Sequence, residues 1–276
     1  MKSPIIYYGA KGTLAEGIAQ YIPAFMDRYI EPFFGSGGVF FHRSRWAEQE
    51  ILNDLNGDVI NFFRVLRDKP KKLIEYLNAI PHSRQEQREA AAIMQTTKSD
   101  LIRAAYFFVR INQSFNGAKG WSIPSGSKNK SQEWRNKTDP GTLDMIARRL
   151  RYVAFENYPA LKVMKLYDKA SSFFYLDPPY LSVADAAAKK DSYRGFDMIE
   201  KDHEELVAAC LKMKGMIIIS GYDHPIYDPL IAAGWRKIKI NVTVKALNYG
   251  KNKAGLKRTE ILWISPNIKQ AQNTLF

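Results

Sequence analysis

Glu31-Pro32-Phe33-Phe34-Gly35-Ser36-Gly37-Gly38 is the stretch whose reading decides the fold. Before it, Tyr29-Ile30-Glu31 has the character of a short strand. After it, Gly37 to Arg45 reads as a helix. A strand entering a helix through a glycine-rich turn opens an open α/β sheet, and the glycines let the backbone approach a nucleotide-like ligand. A purely structural tight turn accounts for the glycines equally well. Spacing adds weight to a ligand. Glu50 to Asn53 reads as the next strand, and Asp54 stands at its end, about 20 residues downstream, where an acidic side chain accepts hydrogen bonds from ribose hydroxyls. The alternative is that Asp54 caps the helix marked by Val59, Ile60, Phe63 and Leu66, a role that Asn56 can also fill. No Gly-x-x-x-x-Gly-Lys-Ser/Thr loop occurs, which disfavours a phosphate-cradling ATPase site.

Outward from this unit, Leu14, Ile18 and Ile22 recur at helical spacing. From about Lys69 to Arg110 helix follows helix, with Ser83 and Glu86 at capping-box spacing. Ser114 to Pro140 is loop-like and carries Trp121 and Trp134. Strands return at Ala154 to Glu156, Phe173 to Leu176, Met216 to Ser220, Trp235 to Val244 and Glu260 to Ser265. Helices separate the first four, and a Gly- and Lys-rich loop joins the last two as an antiparallel hairpin. This is a doubly wound sheet with a helical insertion.

The second informative stretch is Phe173-Phe174-Tyr175-Leu176, a buried-strand pattern followed at once by Asp177-Pro178-Pro179-Tyr180. Two prolines fix the chain and remove two backbone donors. A carboxylate, a carbonyl and an aromatic ring are thus presented at the carboxyl end of a strand, the edge where open α/β sheets bind ligands. Such a group suits one chemistry. An aromatic amino nitrogen is a poor nucleophile because its lone pair is delocalised. Accepting both its hydrogens, at Asp177 and the Pro178 carbonyl, favours a pyramidal nitrogen that can attack a sulfonium methyl in line. Tyr180 offers a stacking face for an extruded base. Extrusion costs a few kcal/mol, and stacking returns about 1–3 kcal/mol.

The composition bounds the partners. The 276 residues suffice for a catalytic domain carrying a smaller one, and 46% are hydrophobic, so a large core can form. Lys and Arg number 41 against 28 Asp and Glu, a formal charge of +13, which favours a polyanion. With the single cysteine Cys210 no intramolecular disulfide can form, and a reducing cytoplasm fits. His42, His82, His203 and His224 are scattered without cysteine partners, so no metal site is expected. No apolar run approaches the roughly 20 residues of a membrane helix. The few apolar residues between Lys2 and Lys11 make a poor signal peptide.

Taken in order, these motifs resemble the Dam-like, α-group family of DNA adenine amino-methyltransferases. Tyr8-Gly9-Ala10-Lys11 resembles the family's N-terminal motif, Glu31 to Gly38 its cofactor motif, and Asn53-Asp54-Leu55-Asn56 its ribose-acid motif. Phe115-Asn116-Gly117 resembles the aromatic-Asn-Gly turn of its recognition region, Asp177 to Tyr180 its catalytic motif, and Ile219-Ser220-Gly221-Tyr222-Asp223 a later strand-end motif. Ala10 stands where Gly is usual, Gly221 where Asn is usual, and Ala118-Lys119-Gly120 where readers of GATC carry an Arg. The resemblance implies a Rossmann-like doubly wound methyltransferase sheet with a C-terminal antiparallel hairpin. Residues 1–66 and 152–276 would form the catalytic domain, and 67–151 an inserted helical target-recognition domain. It implies S-adenosyl-L-methionine as donor, bound by Tyr7, Lys11, Phe33, Phe34, Gly35, Ser36, Gly37, Asp54 and Asp177. Asp177, Pro178, Pro179 and Tyr180 would act on adenine in double-stranded DNA, in the cytoplasm, and a cognate restriction endonuclease can accompany such an enzyme.

Basic residues mark the expected DNA face. Lys119, Lys128, Lys130, Arg135 and Lys137 stand in the central loop with Asn116, followed by Arg148, Arg149 and Arg151, and Lys251 and Lys253 belong to the terminal hairpin. Cationic side chains position a duplex, and only a few side chains read base edges. A solvated loop is the alternative. Ser192 to Asp197 suits a cover over the base. Two other readings compete with this one. Methylases of protein glutamine use Asn before Pro-Pro-Tyr, and cytosine amino methylases commonly use Ser or Thr before Pro-Pro, so Asp177 favours adenine. A 5-methylcytosine enzyme needs a thiol nucleophile, whereas Cys210 lies mid-helix. The rival from another class is a catalytically inactive DNA-binding module that has kept the fold.

Overall fold

The computed structural model describes residues 1–5, 14–114, 121, 129–181, 196–244 and 256–268. Its strands are β1 (Arg28–Glu31), β2 (Gln49–Asn53), β3 (Val153–Glu156), β4 (Ser172–Leu176), β5 (Met216–Gly221), β6 (Arg236–Val244) and β7 (Leu256–Ile264). Among the described residues they form one seven-stranded sheet in the order β3-β2-β1-β4-β5-β7-β6. The pairs β1/β2, β1/β4, β2/β3 and β4/β5 are parallel. β7 runs antiparallel to β5 and β6, as expected of a hairpin. The strand order reverses between β1 and β4, so the carboxyl ends of these two strands open a crevice.

Both faces of the sheet are covered, which explains why the central strands β4 and β5 read as nearly continuous apolar runs. Side-chain alternation sends Tyr29, Leu52, Phe173, Tyr175 and Ile218 to one core, and Ile30, Ile51, Phe174, Leu176 and Ile219 to the other. The second core is closed by α8 (Ala160–Tyr167), α9 (Glu200–Cys210) and α10 (Asp228–Ala232), through Val163, Leu206, Cys210 and Leu230. The first is closed by α1 (Ala15–Ala19) and α2 (Gly57–Asp68), and continues into α3 (Pro70–Ala79), α4 (Arg84–Thr96), α5 (Asp100–Asn112), α6 (Lys130–Lys137) and α7 (Pro140–Arg149). No helix among the described residues is long and apolar enough to cross a membrane.

Three local expectations are corrected. The helix expected over residues 37–45 is only a 3₁₀ turn, Phe40–His42. The Phe40 carbonyl is taken by the Trp46 indole N–H at 3.0 Å instead of a helical amide. Within the stretch expected as loop lies α6, capped by Asn129, whose side chain accepts the Gln132 N–H. It is anchored by Trp134, buried and donating to the Ile80 carbonyl at 2.9 Å. Ser83 does cap α4, but Glu86 does not close a capping box. It accepts from the Tyr106 hydroxyl, while the Ser83 N–H goes to Gln113 Oε1.

Arg149 also leaves the DNA-facing set. Its guanidinium is buried in a two-pronged pair with Glu50, at 2.6 and 2.7 Å, and lies 3.8 Å from the Phe40 ring centroid. Glu50 further accepts the Trp46 N–H at 2.8 Å, so one carboxylate ties α7, β2 and the segment leading into β2. Removing one partner of such a pair strands a buried charge. Arg149→Ala is expected to lower stability in urea unfolding by about 3–5 kcal/mol. The exposed Arg148, paired with Asp144 one turn away, should cost under about 0.5 kcal/mol as Arg148→Ala.

Candidate active site

The crevice is built at its floor by the turn after β1. Gly35 and Gly37 have φ of 50° and 70°. A Cβ on Gly37 would stand 2.3 Å from the Phe34 ring, so only glycine fits. The Gly35 N–H donates to Asp54 Oδ2 at 2.7 Å, and the Asn56 N–H to Asp54 Oδ1 at 2.8 Å. Capping of α2 falls to Asn56, whose side chain accepts the Asp58 N–H. Burial pushes the Asp54 carboxyl up to about 6, against the pull of its two N–H donors. Asn53 is wholly buried. Its amide donates to the Pro32 and Tyr158 carbonyls and accepts the Tyr158 N–H, locking the carboxyl ends of the first three strands together.

Glu31 ends β1 inside this crevice. It is buried, accepts the Tyr29 hydroxyl and is pushed up to about 8, first by burial and further by the neighbouring Asp177 charge. Asp177 follows β4 directly across the switch point. The Ser220 hydroxyl at the end of β5 donates to Asp177 Oδ1 at 2.8 Å and lies 3.0 Å from the Tyr175 hydroxyl. On the far side of the loop, buried His203 from α9 places Nε2 3.0 Å from the Pro179 carbonyl and Nδ1 2.9 Å from the Tyr227 hydroxyl. Burial lowers its pKa below the usual imidazole range. The Tyr180 hydroxyl donates to Glu260 at 3.0 Å, and its ring meets Tyr222 edge-on at 4.8 Å. Gly221, before Tyr222, faces Trp263, whose ring would lie 3.1 Å from a Cβ added there.

Of these groups Glu31, Gly35, Asp54, Tyr175, Asp177 and Pro179 border one cavity of about 370 Å³, which Gly37, Pro178 and Tyr180 do not line. Its wall brings together Phe33, Phe34, Gly35, Ser36, Asp54, Asp177 and Pro179 from the sequence reading. Phe34 contributes from the edge of a ring cluster with Phe40, Phe41 and Phe63. The wall also holds Glu31, Pro159, Leu161, Asp197, Asp202 and Glu205. Among the described residues it contains no Lys or Arg, although the chain carries a net charge of +13. Tyr7, Lys11, Asn116, Lys119, Lys128, Lys251 and Lys253 lie outside the described residues, as do most of residues 192–197. Lys130 pairs with Glu133 at 2.7 Å, Arg135 donates to the Asn78 carbonyl, and Lys137 donates to Asn112 Oδ1 at 2.8 Å. Burial lowers the Lys137 ammonium to about 8.

Sequence reasoning missed Pro159, Leu161, Glu260, and the roles of Ser220 and His203. Ser220 had a signal, a hydroxyl closing the buried run Ile217-Ile218-Ile219. His203 had none, because Asp202-His203-Glu204 reads as a solvated helix face.

The model of the D12 class N6 adenine-specific DNA methyltransferases matches residues 7–227, spanning the turn after β1, Asp54, Asp177 and the end of β5. The chain belongs to this family. Curated relatives agree along most of its length. The DNA adenine methylase of Vibrio cholerae is 26% identical over 262 residues, 89% of this chain and 90% of that protein. The type II methyltransferase M1.LlaDCHI of Lactococcus lactis subsp. cremoris is 25% identical over 247 residues, 80% and 81% of the two chains. The type II methyltransferase M.CviBI of Paramecium bursaria Chlorella virus NC1A is 21% identical over 188 residues, 66% and 70%. Adenine-specific DNA methylation is the activity of the family, and the chain is an enzyme of that class.

The buried acid of this methyltransferase sets a pH signature. Glu31 has a folded pKa near 8 against 4.5 for the free side chain, so the folded state retains its proton longer than the unfolded one. The stability this gives is complete below 4.5 and is lost as pH rises through about 8. Glu31→Gln is therefore expected to gain stability relative to wild type between those limits, read by thermal unfolding across the range. A constant difference would refute the assignment.

Proposed function

We propose that this methyltransferase takes a methyl group from S-adenosyl-L-methionine and places it on the exocyclic amino nitrogen of an adenine flipped out of double-stranded DNA. One observation carries the reading: the glycine turn, Asp54 and Asp177 converge on a single acidic cavity at the switch point. The donor carries a sulfonium and an ammonium charge, and the wall residues suit both. Carboxylates of the wall would face the positive charges, Phe33, Pro159 and Leu161 would pack against an adenine ring, and Asp54 would accept from ribose hydroxyls. When bound, the cofactor supplies an electrophilic methyl group. The protein supplies orientation and proton acceptance.

The Asp177 carboxylate and the Pro178 carbonyl accept the two amino hydrogens, which localises the nitrogen lone pair. The Ser220 hydroxyl fixes the rotation of that carboxylate by donating to Oδ1. Tyr180, steadied by Glu260 and Tyr222, gives the flipped base a stacking face. Holding these groups in place before the base arrives lowers the entropic part of the barrier. Residues 67–151 are the proposed target-recognition part, set against the catalytic segments 1–66 and 152–276. The type II names of two relatives support work beside a restriction endonuclease.

Nucleoside analysis of DNA incubated with the purified protein and S-adenosyl-L-methionine is expected to yield 6-methyladenine. Asp177→Ala should abolish turnover with cofactor affinity retained, whereas Asp54→Ala should weaken cofactor binding about tenfold or more in calorimetry. Formation of 4-methylcytosine, or transfer surviving in Asp177→Ala, would overturn the reading.

Lys119, Lys128, Lys251 and Lys253 are proposed to neutralise DNA phosphates. Replacing all four by glutamine should weaken DNA binding and flatten its dependence on salt, the logarithmic slope dropping by about one for each phosphate left without its lysine. An unchanged slope would place these lysines away from DNA.

A further inference from the structure

The loop Asp177-Pro178-Pro179-Tyr180 poses a mechanical problem. A loop is ordinarily tethered through its own N–H donors as well as its carbonyls. Here two successive residues have none. At Pro178 and Pro179 the main chain can be held only through its carbonyls, by donors that reach in from elsewhere, and an error of about 1 Å at a reacting group costs a large factor in rate.

We propose that His203 is that donor, a positioning residue that clamps the catalytic loop through the Pro179 carbonyl. This rests on the reading of that loop as the catalytic one. A carbonyl only accepts, so the 3.0 Å contact requires the proton on Nε2. The neutral ring then has an accepting Nδ1, and the Tyr227 hydroxyl at 2.9 Å donates to it. The tautomer is thus set by two partners, with no solvent access to the wholly buried side chain. Tyr227 is itself fixed by stacking on Trp263 of β7, with centroids 4.1 Å apart. A continuous path of contacts runs from the sheet through Trp263, Tyr227 and His203 to the catalytic loop. It passes through α9, the helix whose Asp202, Glu205 and Leu206 line the cavity.

A histidine that merely filled space could be exchanged for any side chain of similar volume. A clamp has a directional requirement. Glutamine places its amide N–H near the position of Nε2, while asparagine places it near Nδ1. His203→Gln should therefore retain most of the single-turnover rate, whereas His203→Asn and His203→Ala should lose about tenfold to hundredfold. S-Adenosyl-L-methionine and DNA affinities should hold in all three. Tyr227→Phe, which frees the tautomer, should lose less than His203→Ala. Independently of activity, ¹⁵N spectra of the wild-type protein should report His203 protonated on Nε2 alone.

Equal rates in the Gln and Asn variants, losses confined to cofactor affinity, or a proton on Nδ1 would overturn the clamp. The ¹⁵N measurement decides the matter even where a variant fails to fold. Failure of wild-type protein to methylate adenine would count against the catalytic reading itself, which separates the two outcomes.

Discussion

The 2.7 Å hydrogen bond from the Gly35 N–H to Asp54 underlies the whole site. It joins the glycine turn after β1 to the end of β2, beside the crevice where the strand order reverses between β1 and β4. An acidic group at this edge is costly to bury. The two backbone N–H groups make it tolerable, and in return the carboxylate dictates where the turn lies. Asn53, beside it, extends the same stitching to the end of β3. The crevice therefore has a rigid floor before any ligand enters.

From that floor, the cavity acquires a character opposite to that of the molecule around it. The protein as a whole attracts polyanions, while the cavity wall presents carboxylates. Low-dielectric walls make this contrast sharper than it would be in water. A basic exterior and an acidic pocket sort two reactants of opposite charge to two different places, an arrangement suited to a cationic donor and a polyanionic acceptor.

Much of the fold was legible in sequence because it rests on period and punctuation. The strand alternation, the glycine turn, the two prolines after Leu176 and the terminal hairpin all follow from local rules. What was not legible depends on distant partners. The expected helix at 37–45 collapsed to a 3₁₀ turn because Trp46 claimed the Phe40 carbonyl. Arg149 looked like one basic residue among several until Glu50, far away in sequence, took it into the core. Trp134 stood in what read as a loop, yet Ile80 holds its indole. Of the site, the residues in motifs were found, since the chemistry needs those types at those places. His203 and Glu260, behind them, and the role of Ser220 within its motif escaped because their importance lies in what they touch.

Gly221 stands where the family usually has asparagine, and the structure supplies a steric reason. Its φ lies outside the left-handed region, so the backbone does not demand glycine. The Trp263 ring stands 3.1 Å from where a Cβ would be, with the Tyr227 hydroxyl at 3.6 Å, so a side chain there requires the ring to give by a few tenths of an ångström. Glycine and tryptophan here share a fixed volume across adjacent strands. A larger residue on β5 calls for a smaller one on β7, and packing at native density leaves little slack for changing one alone. The two positions form a compensating pair, so substitutions drifting through this sheet would be accepted together and rejected singly.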